Sequence, residues 1–355
     1  MTFAEISGLR LDSQNVASSR FSSPAEIAAW MGAIQAQDFA MSKWAIGIRL
    51  PGSTEKTIND AFNDGSILRT HVLRPTWHIV AADNIRWMLE LTAPGIKASM
   101  RSRNIRLELD EAELIKYFDI ITKALGRGPH LTREELTNEL ARENIRLDDN
   151  RAAHILMNAE LDRMICSGAL KNGKYTYALL DERFPAKFSI DRDEALQRLA
   201  SIYYQSHGPA TISDFGWWSG LPARDVKKAT ELVKADLSSM SIDSVTYYYS
   251  GNLKCYDTDT YLFPAFDEII ISYRDRSAVL SLVHNRKAVS DNGIFRPVIM
   301  IDSQVAGIWK RTIKKDRVLI EPGFFNNHGS KRMEHLEKAA EKFGNFIGMK
   351  SELIY

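Results

Sequence analysis

Three times along this chain, a pair of helical stretches is followed by two short strand-like runs. That recurrence constrains the fold more than any other feature of the sequence. The first copy opens at Ser23-Pro24-Ala25-Glu26. Ser23 can cap, Pro24 suits the first turn, and Glu26 stands where a capping-box partner belongs. Ile27, Trp30, Met31 and Ile34 follow at helical spacing and predict a helix with one buried face. A second helix is expected from about Thr54 to Asp64, ending at Gly65, and the run SILRTHVLRPTWHIVAA then reads as two strands broken at Arg74-Pro75. Helix, helix and hairpin in this order is the pattern of a winged helix.

The pattern returns over about residues 127–181. Thr132 and Glu135 form a capping box, and Leu131, Leu136 and Leu140 mark one face. RAAHILMNAELDRMICSG is expected to be one long helix stopped by Gly168, with Cys166 a buried thiol at its end. Asn172-Gly173 supplies a hairpin turn. In the third copy Gly208-Pro209 aligns with Gly128-Pro129. Leu221-Pro222-Ala223-Arg224 opens a helix expected to reach Leu237, and a hairpin is expected around Ser250-Gly251. Trp217 and Trp218 fall within a helical pattern and read as core. Three copies of one unit carry more weight than any single copy. Their irregular spacing indicates a tandem of units, not a solenoid.

From about residue 261 onward YLFPAFDEIIISYRDR and FRPVIMIDSQVAGIWKRTIKKDRVLIEP are strand-rich, with a turn at Asn292-Gly293 and a last helix from about Lys331 to Phe346. The expected fold class is α+β: three tandem winged-helix units and a C-terminal β-barrel-like domain. The expected boundaries are 1–126 for the first unit with a helical extension, 127–190 and 191–260 for the next two, and 261–355 for the β-rich domain with its terminal helix.

Composition limits what such a chain can be. With 45% apolar and 26% charged residues in 355, it has the balance of a folded globular protein. No run of about 18 apolar residues exists, which predicts no membrane span. MTFAEISGLRLDSQ lacks the basic start and apolar core of a secretory signal. Cys166 and Cys255 are too few for a disulfide framework or a cysteine-rich zinc site, and a reducing cytoplasm is the expected compartment. There is no phosphate-binding loop, no G-x-G-x-x-G after a strand, no G-x-S-x-G elbow and no H-E-x-x-H. The eight histidines show no paired ligand spacing, so neither a metal nor a cofactor is expected.

Tandem winged helices instead point to nucleic acid. The net charge of +1 argues against a blanket electrostatic binder but leaves room for local patches. Three stand out. Lys97, Arg101, Arg103 and Arg106 crowd ten residues; Arg69, His71 and Arg74 lie on the first hairpin; Lys310, Arg311, Lys314, Lys315 and Arg317 form the densest run. Each is also what an ordinary solvated face looks like. Gln35-Ala36-Gln37 lies where the first helix ends. On an extended backbone the two carboxamides project to one side, where they can hold a water and grip a base edge. Glutamines at a helix end also commonly cap carbonyls or face solvent.

At these residues the chain resembles the AlkZ/YcaQ-type DNA glycosylases, a winged-helix DNA-binding family. The marks are AIQAQD at 33–38, LRPTWHIV at 73–80, GPATISDFGWWSGL at 208–221, LFPAFDEIIISYRDR at 262–276 and VAGIWKR at 305–311. The family's catalytic motif is glutamine, a nonpolar residue, then glutamine or aspartate, which Gln35-Ala36-Gln37 matches in its double-glutamine form. The resemblance implies that Gln35 and Gln37 are catalytic, without metal, in hydrolysis of the N-glycosidic bond of an alkylated base such as a bulky or crosslinked N7-alkylguanine. The implied partner is double-stranded DNA carrying alkylated bases. A chain that already carries three winged-helix units and shows no coiled-coil seam is expected to be a monomer, nucleoid-associated when bound to DNA. An open site served by a wing suits a crosslinked base better than a flipping pocket. His71, Arg74, Thr76 and His78 are then wing contributors, although His78 also fits a buried core position. Asp267, Glu268, Tyr273, Arg274 and Asp275 belong to the matched segments, with structural role and DNA contact both open. Asp38 beside the motif opposes phosphate unless it is paired or turned away. The competing reading is a non-catalytic winged-helix regulator, which would normally be a dimer on two half-sites.

Overall fold

The computed structural model describes residues 3–18, 20–148, 150–185, 189–256, 258–326 and 331–355. The architecture is α+β. Helix α1 (Phe3–Ser13) precedes the first unit: α2 (Pro24–Met31), β1 (Ile34–Gln35), α3 (Phe39–Gly47), α4 (Glu55–Asp64), β2 (Ile67–His71) and β3 (Trp77–Ala81). The long α5 (Ile85–Arg106) leads to a second unit: α6 (Glu111–Leu125), β4 (Leu131–Thr132), α7 (Arg133–Arg142), α8 (Arg151–Leu161), β5 (Ile165–Ser167) and β6 (Thr176–Leu179). The short α9 (Leu180–Arg183) follows. A third unit comprises α10 (Arg192–Ser206), α11 (Ile212–Ser219), α12 (Ala223–Val233), β7 (Ser238–Ile242) and β8 (Val245–Tyr249).

The first two units each form a three-stranded sheet whose outer strand precedes the helix pair, in the orders β1-β3-β2 and β4-β6-β5. The third keeps the same plan in reduced form. Its hairpin β7-β8 is joined by a single bridge from Ala210 to Tyr248, in the place of the outer strand. Local chemistry explains the repetition. Capping boxes start a helix at Ser23/Glu26, Thr54/Thr57, Thr132/Glu135 and Thr211/Asp214, satisfying N–H groups that a helix start leaves unpaired.

The C-terminal region contains β9 (Thr260–Phe263), α13 (Glu268–Ile271), α14 (Asn285–Ala288), β10 (Val298–Ile301), β11 (Gln304–Ile313), β12 (Arg317–Phe324), α15 (Lys331–Ile347) and β13 (Lys350–Leu353). Its five strands make one sheet in the order β13-β12-β11-β10-β9, parallel only between β12 and β13. Helix α15 packs against β9, β12 and β13.

Several local expectations change. Asp38 opens α3, a helix the pattern does not resolve, and its carboxylate accepts from the Met41 N–H. The expected long helix through Cys166 stops at Leu161. Arg163 has φ +61, and Cys166 lies on β5, where burial pushes its thiol up to about 12. The third hairpin turns at Asp243-Ser244, both at positive φ, and not at Ser250-Gly251; adjacent left-handed residues match a two-residue turn to the twist of its strands. Residues 268–271, within an expected strand run, are the helix α13.

The first unit sits at the centre. One core joins its Leu68, Val72 and Val80 to α5, to α10–α12 and to Tyr273. A second joins α2, α3 and α4 to Ile299, Ile320 and α15. Trp44 of α3 fastens the second core: its Nε1–H donates to Leu262 O at 2.7 Å, and its ring meets Phe343 and Phe346. Burying an aromatic ring with its polar atom bonded is among the larger single contributions to a core. The second unit's β5 packs beside β2. Strand β1 is therefore a sheet edge held on several sides. No helix among the described residues is long and apolar enough to cross a membrane.

Candidate active site

Two residues of β1 begin the site. Ile34 and Gln35 pair antiparallel with Ile79 and His78, and the Ala36 N–H continues the ladder by donating to Trp77 O at 2.7 Å. The return bond is not made to a backbone oxygen. The Trp77 N–H donates at 3.0 Å to the side-chain Oε1 of Gln37. The Gln35 Oε1 accepts from Arg74 Nη2 at 3.2 Å and, at greater length, from Thr76 Oγ1 at 3.5 Å. Both carboxamide oxygens thus face donors of the same turn, residues 74–77. Since only the oxygen of an amide can accept, this fixes the orientation of both groups. Neither NH2 group has a hydrogen bond among the described residues. Gln35 is 4% exposed and Gln37 is exposed, so the pair lies at the boundary of core and solvent.

The third unit and the C-terminal region complete the surroundings. The Gln35 N–H donates to Glu268 Oε1 at 2.6 Å. The other oxygen of Glu268 accepts from Ser272 Oγ and lies 3.7 Å from His207 Nε2. Burial pushes the Glu268 carboxyl up, but these donors outweigh it and hold the group down at about 2. Burial likewise drives His207 down, toward neutral imidazole. Glu268 is aimed by its neighbour: Asp267 caps α13 and makes a bidentate pair with Arg49 at 2.8 and 2.9 Å, both side chains buried. Arg74 also donates, at 3.4 Å, to the Trp217 carbonyl near the C-terminal end of α11, where a cation is favoured. The next turn is tight. Leu73 has φ +63, and a Cβ on Gly220 (φ +66) would come within 2.6 Å of Leu73 O.

Four sequence candidates have partners within the protein. His78 is fully buried; its Nδ1 donates to Thr76 O at 2.9 Å, and burial, then Arg74, hold its pKa down at about 3. His71 is 5% exposed, with Nδ1 2.8 Å from Glu160 Oε2 and its ring 3.7 Å from that of Trp77. Both rings are buried in this structure, His78 in the core position that its strand also allowed. Arg69 turns inward, giving Nε (3.1 Å) and Nη2 (2.9 Å) to Ala36 O. Lys97 is ion-paired with Asp162. Arg101 and Arg103 also lie on α5. Lys310 and Arg311 lie on β11, and Lys314 and Lys315 at the exposed tip of the β11–β12 hairpin. The structure therefore gathers Gln35, Gln37, Arg69, Arg74, Thr76, His71 and His78 around one turn and leaves the other two basic groups elsewhere.

Glu268 and Ser272 were not assigned roles by sequence reasoning, nor was the backbone of Trp77. The segment DEIIIS was visible, but nothing in spacing connects it to a glutamine 233 positions earlier. Trp218 is core as expected, whereas Trp217 is 42% exposed. Among the described residues, no group of three or more His, Cys, Asp or Glu side chains is arranged to hold a metal ion.

The chain is similar to known DNA glycosylases in sequence and in fold. A family model described as DNA glycosylase AlkZ-like matches residues 28–346. A curated relative, the interstrand DNA cross-link repair glycosylase of Streptomyces sahachiroi, is 22% identical over 299 residues, covering 78% of this chain and 79% of the relative. The solved structure of Streptomyces sahachiroi DNA glycosylase AlkZ superposes with a TM-score of 0.82 at 18% identity, covering 100% of both chains.

Proposed function

This chain belongs to the AlkZ-like DNA glycosylase family, and from that premise we propose that it hydrolyses the N-glycosidic bond of N7-alkylated purines in duplex DNA, bulky or crosslinked adducts included. The curated relative is named for interstrand cross-link repair, which supports the crosslinked class of substrate. The observation that carries the reading is the paired orientation of Gln35 and Gln37, with oxygens fixed on the 74–77 turn and both NH2 groups unengaged among the described residues.

The chemistry follows from what such a pair can and cannot do. Alkylation at N7 places positive charge on the base and makes it a good leaving group without a strong acid. The protein has to place a water at C1′ and tolerate an oxocarbenium-like sugar. A glutamine NH2 can donate to that water's oxygen or to an acceptor on the base or sugar, and the Gln37 Oε1 keeps one lone pair for a water hydrogen. Neutral amides are not strong bases, so uncharged normal bases stay intact. Glu268, ionised behind the Gln35 N–H, adds negative potential that favours a cationic transition state. Arg74 and Thr76 hold the turn and are the remaining wing residues near the reacting centre.

In this reading the three helix–sheet units act as winged helices within the boundaries given above, on one DNA-bound monomer. Lys310, Arg311, Lys314 and Lys315 meet phosphate, as do Lys97, Arg101 and Arg103 where the duplex extends over α5. The test is a single-turnover assay on duplex DNA carrying one N7-methylguanine, then a bulky N7 adduct. The natural protein releases base, scored as alkali-labile strand breaks, and a folded Gln35→Ala, Gln37→Ala protein does not. Duplex binding without release of either lesion defeats the proposal in favour of a non-catalytic DNA binder.

A further inference from the structure

Strand β1 contains a ladder defect with one identifiable cause. Gln35 and His78 are register partners, so Ala36 faces Trp77. An antiparallel pair that bonds exchanges both N–H···O contacts. Here only one is made: the Ala36 N–H donates to Trp77 O, while the Trp77 N–H goes to the Gln37 side chain. The Ala36 carbonyl, which the ladder would give to Trp77, is drawn instead to Arg69 by two charge-assisted bonds of 2.9 and 3.1 Å.

Arg69 is built for that task. Its guanidinium lies over the ring of Trp77 at 4.2 Å and within 5.3 and 5.4 Å of Phe39 and Tyr175. No carboxylate makes a salt bridge with it among the described residues; the aromatic faces and one peptide oxygen contact the charge directly, and Glu160 and Asp38 favour it from farther away. Its own backbone is held by the second unit, with the Arg69 N–H donating to Ser167 Oγ at 3.0 Å and the Tyr175 O–H to Arg69 O at 2.9 Å.

We infer that Arg69 is a positioning residue: by holding Ala36 O away from the Trp77 N–H, it leaves that donor to Gln37 and so sets the Gln37 carboxamide in its working orientation. Without the two Arg69 bonds, Ala36 O regains Trp77, the ladder closes, and the Gln37 side chain is released to solvent. The inference rests on the glycosylase reading for its consequence in rate, but its structural half does not. The second unit thereby has a part in the site although it contributes no reacting group.

The experiment uses the full-length protein with Arg69→Met, which fills the aromatic cage without donors, and Arg69→Lys, which keeps the charge but cannot give a bidentate pair to one oxygen. Thermal melting establishes that each variant is folded. If Arg69→Met does not fold, Arg69→Lys carries the test. Single-turnover rates and duplex Kd are measured on DNA with one N7-methylguanine or a bulky N7 adduct. Protein labelled with 15N at glutamine reports the Gln37 side-chain amide. Arg69→Met is expected to lose about 10²-fold in rate, the scale for a misplaced catalytic group, with Kd unchanged; Arg69→Lys falls between. The Gln37 amide resonance moves in both. A wild-type rate with an unmoved resonance overturns the inference, and a parallel loss of Kd and rate makes Arg69 a DNA contact instead. If the natural protein releases no base, the glycosylase reading fails, while the Gln37 resonance still decides whether Arg69 sets that side chain.

Discussion

Gln35 and Glu268, 233 positions apart, meet at 2.6 Å, the backbone N–H of one donating to the buried carboxylate of the other. A charged acceptor therefore stands directly behind the candidate catalytic strand. Replacing Glu268 with Gln keeps the shape and removes the charge. The amide oxygen still accepts, but hydrogen bonds to a charged group are worth about 1.5–3 kcal/mol against about 1 for neutral ones, so stability falls, and the loss of negative potential slows base release. Urea unfolding and single-turnover rates measure the two effects separately. Unchanged values of both would remove Glu268 from the site's energetics.

Acid stability separates the histidines from this carboxylate. His78 is held at about 3 when folded against an ordinary 6.5, so the unfolded chain binds its proton first. Stability is then lost as pH falls below 6.5 and continues to fall toward 3. His207 shifts in the same direction. Glu268, held at about 2 against 4.5, contributes stability that is intact above 4.5 and lost as pH falls toward 2. Unfolding titrations across pH 7 to 2 should show the first decline flattened in His78→Gln, while Glu268→Gln lowers stability at neutral pH and flattens the decline below 4.5.

Arg49 and Asp267 form a bidentate pair with side chains 0% and 1% exposed, joining the turn after α3 to the start of α13. Removing one partner strands a buried charge. Asp267→Asn is expected to destabilise the protein by about 3–5 kcal/mol, read by chemical denaturation. A loss below 1 kcal/mol would mean that water reaches the pair.

Gly220 permits the close approach of α11 to the turn at Leu73. Gly220→Ala places a Cβ 2.6 Å from Leu73 O at φ +66. The backbone term alone is about 1–2 kcal/mol, and the clash displaces Arg74 from Gln35 Oε1. A lower melting temperature together with a reduced rate constant is the expected result; a lower melting temperature alone would show that Arg74 finds its place without this contact.

Lys314 and Lys315 are exposed at the β11–β12 hairpin. If both meet phosphate, replacing them with Ala reduces the slope of log K against log salt by roughly 2 with no change in stability. An unaltered slope would move the DNA path off this hairpin.

The features legible in the sequence were those closed within a few residues. Ser23 with Glu26 and Thr132 with Glu135 form their boxes where expected, and Gly65 ends α4. The same locality explains the misses. Arg163 ends α8 in a left-handed conformation that no strong breaker announces, and Asp243-Ser244 outcompetes the glycine signal at Ser250-Gly251. Nearby turn residues with similar local preferences are separated only by which register buries Ile242 and Tyr247.

By itself the sequence determined the repeating plan of helix pair and hairpin, the α+β class and the Gln35-Ala36-Gln37 motif, because capping, periodicity and turn chemistry act over a span of residues that sequence reading sees. Only the tertiary structure decided that the glutamine oxygens face the 74–77 turn, that His78 is buried, and that Arg69 donates to Ala36 O. Those outcomes depend on burial and on partners brought from distant segments. An arginine beside a hairpin reads alike in sequence whether it extends into solvent or lies against three aromatic rings; only the packing of Phe39, Trp77 and Tyr175 distinguishes the two.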